Sequence, residues 1–180
     1  AAPGLVVVDE AYTPFAGQSY LSELPRRPNL VVMRTVSKMG LAGLRLGWLA
    51  AAPELVRELD KLRLPYNVNA LTQASARLAL AHGDLLARHT EAVCAERARL
   101  HAALAARDGV RVWPSDANFL LFRVAEPARV LAALREGGVL IKMLHGSSPL
   151  LAGCLRVTVG TPEENRAFLA ALDAALAAGA

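Results

Sequence analysis

The stretch LVVVDEAY, residues 5–12, is an unbroken apolar run followed at once by two carboxylates. Such a run is typical of a strand that is buried on both faces of a parallel sheet. A second apolar run, residues 30–34, ends shortly before Lys38. Open α/β sheets bind ligands beyond the carboxyl ends of their strands. The two runs therefore predict an α/β fold in which Asp9, Tyr12 and Lys38 lie at one edge of the sheet.

Lys38 belongs to the segment RTVSKMGLAGLR, residues 34–45. The chain has only 3 lysines against 17 arginines, a bias that points to a lysine kept where an amine is chemically required. Arginine cannot form a Schiff base because its guanidinium stays protonated, whereas a lysine amine can act as a nucleophile. Ser37 precedes the lysine, and a glycine-containing turn leads from it to Arg45. The segment predicts a Schiff-base lysine beside donors for a cofactor phosphate.

Several motifs occur in a fixed order along the chain. VVDEAY at residues 7–12, RTVSK at 34–38 and GLAGLRLG at 40–47 together resemble the fold-type-I pyridoxal-phosphate aminotransferases. PYNVN at 65–69 and GCLRVTVGT at 153–161 narrow the resemblance to the histidinol-phosphate aminotransferases. The resemblance extends over the whole chain and implies an α/β fold. It corresponds to the C-terminal half of that family, namely the end of a large domain with a mostly parallel sheet, followed by a small α/β domain.

The resemblance implies a role for each residue near the first two strands. Lys38 would form the Schiff base with pyridoxal 5'-phosphate and move a proton between the substrate and the cofactor. Asp9 would pair with the pyridine nitrogen, and Tyr12 would donate a hydrogen bond to the cofactor's phenolate oxygen. Ser37 and Arg45 would bind the phosphate. Asp9 could instead cap a turn, Tyr12 could pack in the core, and Arg45 could form a structural salt bridge.

Two cations in the second half of the chain are candidate substrate-binding residues. Arg156 alternates with apolar residues along a predicted strand, so it faces either solvent or a ligand. The resemblance implies that it binds the glutamate carboxylate and the phosphate of histidinol phosphate. Lys142 ends another apolar run and either assists with the same anion or is a solvated lysine. Glu10 should point away from Asp9 on its strand, which predicts a structural role.

The pattern of elements predicts two regions. Residues 1–82 alternate strands and helices and form the C-terminal portion of the large cofactor-binding domain. Residues 83–180 form a linking helix and a small C-terminal domain. The expected strands of the first region are 5–8, 30–34 and 46–51, and its helices begin at Pro53 and Ala70. After the linking helix, 84–107, the small domain should contain strands 118–124, 139–142 and 155–159 and helices 127–136 and 162–177.

Composition limits the partners that we expect. The 180 residues are 54% hydrophobic and carry a net charge of +4. The arginines are scattered among acids, which argues against binding to nucleic acid. No window has the ~18 consecutive apolar residues of a membrane span. Cys94 and Cys154 lie far apart without metal-ligand spacing. Both are expected to be buried thiols, which fits a reducing cytoplasm, and no metal site is expected.

The expected function follows from the resemblance. It is the pyridoxal-phosphate-dependent transamination between L-histidinol phosphate and 2-oxoglutarate or glutamate in histidine biosynthesis, catalysed by a cytoplasmic homodimer. No first βα unit precedes Asp9, so we expect this chain to be a fragment that is inactive alone. Three alternatives stay open: a threonine-phosphate decarboxylase, an aromatic aminotransferase, and an aminotransferase-like sensor domain of a transcriptional regulator.

Overall fold

The computed structural model describes residues 2–178. These residues form two compact units, one up to Thr90 and one from Glu91 onward. A single helix, Gly83–Ala105, runs across this division. We propose that the domain boundary lies between residues 82 and 83, where this helix begins.

The first unit is built on a three-stranded sheet with the order β1-β2-β3. Its strands are β1 (Val6–Asp9), β2 (Leu30–Thr35) and β3 (Gly47–Ala51), and its helices are α1 (Thr13–Ala16), α2 (Pro53–Asp60), α3 (Ala70–Ala81) and the first part of α4 (Gly83–Ala105). β1 and β2 are parallel, and β3 is antiparallel to β2. Parallel neighbours need a long crossover, which residues 10–29 provide, whereas the shorter connection at 36–46 returns the chain antiparallel. The predicted α/β fold is confirmed.

The expected burial of the first strand on both faces is wrong. Leu5 is 59% exposed and Val7 is 56% exposed. The central strand β2 is the buried one, and its Val32 is completely inaccessible to solvent. β1 lies at the edge of the described sheet, where only one neighbour covers it. An apolar run shows that a strand is suited to burial, but its neighbours decide whether it is buried.

Helix α3 is tied to the loop that follows Lys38. Asn69 caps the helix by accepting a hydrogen bond from the backbone N–H of Thr72 at 2.9 Å. The hydroxyl of Thr72 donates to the carbonyl oxygen of Leu44 at 3.3 Å. The cap therefore fixes the start of α3 against the glycine-containing turn.

The second unit is a four-stranded antiparallel sheet with helices packed on one face. The strand order is β4-β5-β7-β6. Its elements are β4 (Arg111–Val112), β5 (Phe119–Arg123), α5 (Pro127–Glu136), β6 (Lys142–Met143), β7 (Cys154–Thr158) and α6 (Pro162–Ala177). The core unites the inner sheet face with α5, α6 and the end of α4, through Leu120, Phe122, Leu155, Val157, Leu100, Leu104, Leu134, Phe168 and Leu172.

Strand β6 is shorter than predicted. It begins at Lys142 rather than at Val139. Gly138 adopts a left-handed φ of 79°, and the backbone N–H of Val139 donates to the carbonyl oxygen of Leu134 at 2.8 Å. This hydrogen bond holds Val139 against the end of α5, although the apolar pattern predicts that the strand begins there.

Candidate active site

The parallel strands β1 and β2 bring the predicted cofactor residues to one end of the sheet. Asp9 is the last residue of β1 and is in register with Met33 of β2, five residues before Lys38. The Asp9 side chain is exposed, and its Oδ1 accepts a hydrogen bond from the backbone N–H of Ala11 at 2.9 Å. Within residues 2–178 it forms no ion pair. Its negative charge is therefore available to a cationic ligand group.

Lys38 lies against the ring of Tyr12. The Nζ atom is 5.2 Å from the ring centroid. Lys38 is half-buried in the short 3₁₀ turn Ser37–Met39, which ends at Gly40 with a left-handed φ of 85°. In the described part of the chain, no carboxylate forms an ion pair with Lys38. The structure thus places a lysine amine, a phenol and the Asp9 carboxylate at neighbouring strand ends, as the sequence predicts.

Hydroxyl groups brace the backbone on either side of Lys38. The Thr35 hydroxyl accepts from the backbone N–H of Ser37 at 3.0 Å and donates to the carbonyl oxygen of Leu46 at 3.0 Å. The hydroxyl oxygens of Thr35 and Ser37 lie 2.9 Å apart. Thr35 therefore joins the two ends of the loop between β2 and β3, and Ser37 is the hydroxyl nearer to the lysine.

Arg45 ends the second 3₁₀ turn of this loop in a strained conformation. Its φ is 51°, in the left-handed region that non-glycine residues rarely adopt. The guanidinium is exposed, and its recorded contact is a long hydrogen bond of 3.4 Å from Nη1 to the carbonyl oxygen of Ala42. It forms no salt bridge within the described residues, so its charge is free to bind an anion. Strained residues of this kind cluster at ligand sites.

Glu10 supports the site from the buried side, as the strand alternation predicts. Its carboxylate is 5% exposed and accepts two hydrogen bonds from Arg34, at 2.9 and 2.8 Å. The Ser19 hydroxyl and the backbone N–H of Tyr20 donate two more. Burial acts to raise the pKa of Glu10, but the Tyr20 N–H, Arg34 and Ser19 outweigh it and lower the pKa below its ordinary value. The ionised carboxylate thus ties the end of β2 to the segment that follows Asp9.

The second unit aligns the two candidate substrate residues. Lys142 of β6 lies directly opposite Arg156 of β7 in the antiparallel register. The guanidinium carbon of Arg156 lies 4.8 Å from the ring centroid of Phe119, and its buried Nε has no hydrogen-bond partner among the described residues. Two cations at adjacent positions of one sheet face are suited to an anion.

Sequence reasoning missed three residues on the same outer face of this sheet. Arg111 and Arg123 are cross-strand partners, and the guanidinium groups of both lie over the ring of Trp113. Burial alternates along Phe119–Arg123 in the structure, but Arg123 is the only polar residue of that strand, so the sequence carries little signal for this face.

His145 belongs to the loop between β6 and β7. Its Nδ1 accepts a hydrogen bond from the backbone N–H of Gly153 at 2.9 Å, which fixes the fold of the loop. In the part of the chain that the structure describes, no group of three or more histidine, cysteine, aspartate or glutamate side chains could hold a metal ion. None of the helices in that part is long and apolar enough to cross a membrane.

Comparison with known proteins agrees with this geometry. A family model described as aminotransferase class I and II matches residues 1–172. Histidinol-phosphate aminotransferase of Chromobacterium violaceum is 54% identical over 173 residues, which are 96% of this chain and 49% of that protein. The chain thus spans about half the length of the curated relatives that it matches.

Solved structures show the same fold. Histidinol-phosphate aminotransferase of Sinorhizobium meliloti, in complex with pyridoxal-5'-phosphate, superposes with a TM-score of 0.85 at 29% identity, over 98% of this chain and 50% of that one. L-threonine-O-3-phosphate decarboxylase of Porphyromonas gingivalis superposes with a TM-score of 0.83 at 27% identity, over 95% of this chain and 55% of that one. The motif order, the end-of-strand site and the family match lead to one conclusion: the chain belongs to the aminotransferase class I and II family.

Proposed function

We propose that the intact protein is a pyridoxal-phosphate-dependent histidinol-phosphate aminotransferase of histidine biosynthesis. It would exchange an amino group between L-histidinol phosphate and 2-oxoglutarate or glutamate. The observation that carries the proposal is the placement of Lys38 against Tyr12, at the same end of the sheet as the unpaired carboxylate of Asp9. The 54% identity to the Chromobacterium violaceum protein supports the choice of substrate.

The residues of the first unit fit pyridoxal 5'-phosphate chemically. The cofactor has an aldehyde that needs an amine, a ring nitrogen that needs an anion, and a phosphate that needs donors. Lys38 supplies the amine and Asp9 supplies the anion. Ser37 and Arg45 supply a hydroxyl and a guanidinium without a competing salt bridge in the described residues. Asp9 ends β1, and Ser37, Lys38 and Arg45 lie in the loop that follows β2.

Each side chain then has a distinct task. Bound pyridoxal phosphate supplies an electron sink for the bond cleaved at the substrate Cα. Asp9 would supply the negative charge that pairs with the protonated ring nitrogen of the cofactor. Lys38 would hold the cofactor and would move the proton at the substrate Cα as a general base and acid. Tyr12 orients Lys38 through its ring and donates its hydroxyl hydrogen to a ligand oxygen.

Arg156 and Lys142 are the proposed anion-binding residues for the substrates. Both substrates carry an anion, a phosphate in one and a carboxylate in the other. Arg156 can bind either one bidentately through its planar fork, and Lys142 adds a point charge from the neighbouring strand. The buried Nε of Arg156, which has no partner within residues 2–178, supports this assignment.

We further propose that the intact protein is a cytoplasmic homodimer that acts on small molecules, without nucleic-acid or membrane partners. Both Cys94 and Cys154 are free thiols, in keeping with a reducing compartment. The first unit exposes large apolar side chains, including Leu62 at 80% and Leu71 at 80%, and such exposure is typical of surfaces that other protein covers. We expect the 180-residue chain alone to be inactive.

The similarity to L-threonine-O-3-phosphate decarboxylase keeps a second activity in view. The two reactions differ in the bond cleaved at Cα, and the groups near Lys38 serve both. An assay of the full-length protein separates them, since transamination converts 2-oxoglutarate to glutamate, whereas decarboxylation releases carbon dioxide. Amino transfer from histidinol phosphate is the expected result.

The experiment that tests the site is borohydride reduction of the full-length protein loaded with pyridoxal phosphate, followed by peptide mapping. The pyridoxyl group should be found on Lys38, and Lys38→Ala should lose both the adduct and amino transfer. Lys61→Ala is the matched control, because Lys61 is exposed and paired with Glu58. A pyridoxyl group on Lys61 or Lys142 would refute the assignment.

A further inference from the structure

The outer face of the second sheet is a cationic surface. In an antiparallel sheet, residues that lie opposite each other share a face. The core takes Leu120 and Phe122, so the alternate positions of the strands face away from the helices. The outward cations are Arg111 on β4, Arg123 on β5, Arg156 on β7 and Lys142 on β6. None of the four forms an ion pair within residues 2–178, and none of the described strands carries an acid on this face.

Arg111 and Arg123 form a separate cluster at the edge of this face. They occupy directly opposed positions of β4 and β5, an arrangement of like charges that is unfavourable in an isolated sheet. Both guanidinium groups lie on the ring of Trp113, with their carbons 4.9 and 5.2 Å from its centroid. The indole ring has no net charge, so it positions both groups without neutralising them.

The hydrogen bonding of Arg123 leaves its buried donor, Nε, without a partner among the described residues. Its Nη2 donates to the carbonyl oxygen of Leu150 at 3.0 Å, which holds the guanidinium in place. A buried donor without a partner is uncommon and indicates a group that a ligand can satisfy. A surface cavity of about 380 Å³ adjoins the cluster and is lined by residues 109–111 and 123–125.

We propose that Arg111 and Arg123 bind a phosphate dianion beside Trp113, at a site distinct from Arg156. The two guanidinium groups carry two positive charges, which match a dianion, and a guanidinium can donate parallel hydrogen bonds to phosphate oxygens. The ligand is either inorganic phosphate or the phosphate group of a small monoester. The proposal does not depend on the transamination reaction.

Tryptophan fluorescence tests the proposal directly, because the chain has two tryptophans and each unit holds one. In Trp48→Phe, Trp113 is the sole emitter. Sodium phosphate, titrated against sodium chloride of equal ionic strength, should change its emission saturably, and acetate should not. Arg123→Gln and Arg111→Gln should each lower the affinity for phosphate at least tenfold. Charge-assisted hydrogen bonds account for about one to two orders of magnitude in affinity.

Three further variants decide the location of the site. Arg135→Gln is the matched control, an exposed arginine on α5, and it should bind as the parent does. Arg123→Lys keeps the charge but lacks Nε, so it should bind at least tenfold more weakly while folding normally. Arg156→Gln should leave the titration unchanged. Loss of binding in Arg156→Gln with normal binding in Arg123→Gln, or an equal response to chloride, would refute the proposal.

A second titration distinguishes the two sources of the anion. Glycerol 3-phosphate that binds more tightly than inorganic phosphate indicates a site for a phosphate monoester. Equal or weaker binding indicates a site for free phosphate. If neither compound binds below about 10 mM, where ΔG of association is only about −3 kcal/mol, the site has no phosphate function and the proposal is wrong.

Discussion

Replacement of Glu10 by glutamine should destabilise the first unit and leave the second intact. The carboxylate accepts four hydrogen bonds, two of them from Arg34, and its side chain is only 4% exposed. Glutamine retains one acceptor oxygen but directs an amide NH₂ group toward donors. Hydrogen bonds to charged groups contribute about 1.5–3 kcal/mol each, and breaking a buried pair costs about 3–5 kcal/mol. Arg34 is 25% exposed and regains some hydration in the variant, so we expect the free energy of unfolding to fall by about 2–3 kcal/mol.

Urea denaturation followed by Trp48 fluorescence measures this loss. Trp48 lies on β3 beside Arg34, whose guanidinium carbon is 5.4 Å from the ring centroid, and Trp113→Phe removes the other tryptophan. With a urea dependence of roughly 1–3 kcal/mol per molar, the midpoint should fall by about 1–2 M. Glu23→Gln is the control, because its ion pair with Arg27 is partly exposed, and it should change stability by less than about 1 kcal/mol.

The stability difference between the parent and Glu10→Gln should become smaller as the pH falls. The folded-state pKa of Glu10 lies below 4.5, so its contribution is fully present above that pH and is lost as the pH falls through the lower, folded-state value. Glutamine does not titrate. The midpoints of the parent and of Glu10→Gln should therefore converge under acidic conditions. A midpoint shift below about 0.3 M at pH 7, or a shift that is the same at pH 3, contradicts the reasoning.

The remaining predictions concern the second unit. In the full-length protein, Arg156→Ala should raise KM for histidinol phosphate and glutamate by roughly ten- to a hundredfold with normal cofactor absorbance, and unchanged kinetics would show a structural role only. Asn165→Ala should lower the stability reported by Trp113 by about 1–3 kcal/mol, because the backbone N–H and carbonyl of Gly160 both lose the amide side chain that binds them. An unchanged urea midpoint in Asn165→Ala would mean that water replaces the amide at no cost.

Local physical chemistry explains what could be predicted from the sequence. Apolar β-branched runs identify the strands, and side chains that satisfy orphan N–H groups mark where helices begin. Thr161 shows this at α6, where it forms a capping box with Glu164. The composition makes Lys38 conspicuous, and the order of the motifs identifies the family. Strand runs and helix caps are local signals, and each lies within a few residues along the chain.

Tertiary structure decided everything that depends on which strands become neighbours. The sequence pattern of β1 resembles that of a central strand, yet β2 occupies the centre because both β1 and β3 pair with it. Register placed Lys142 opposite Arg156, and Arg111 opposite Arg123, and no local pattern along the chain specifies these pairs. The alternation of side chains along a strand indicates which residues share a face. It does not indicate which neighbouring strand contributes the opposing side chain. Pairing between distant segments is set by the packing of the whole unit, and it decided which cations share a surface.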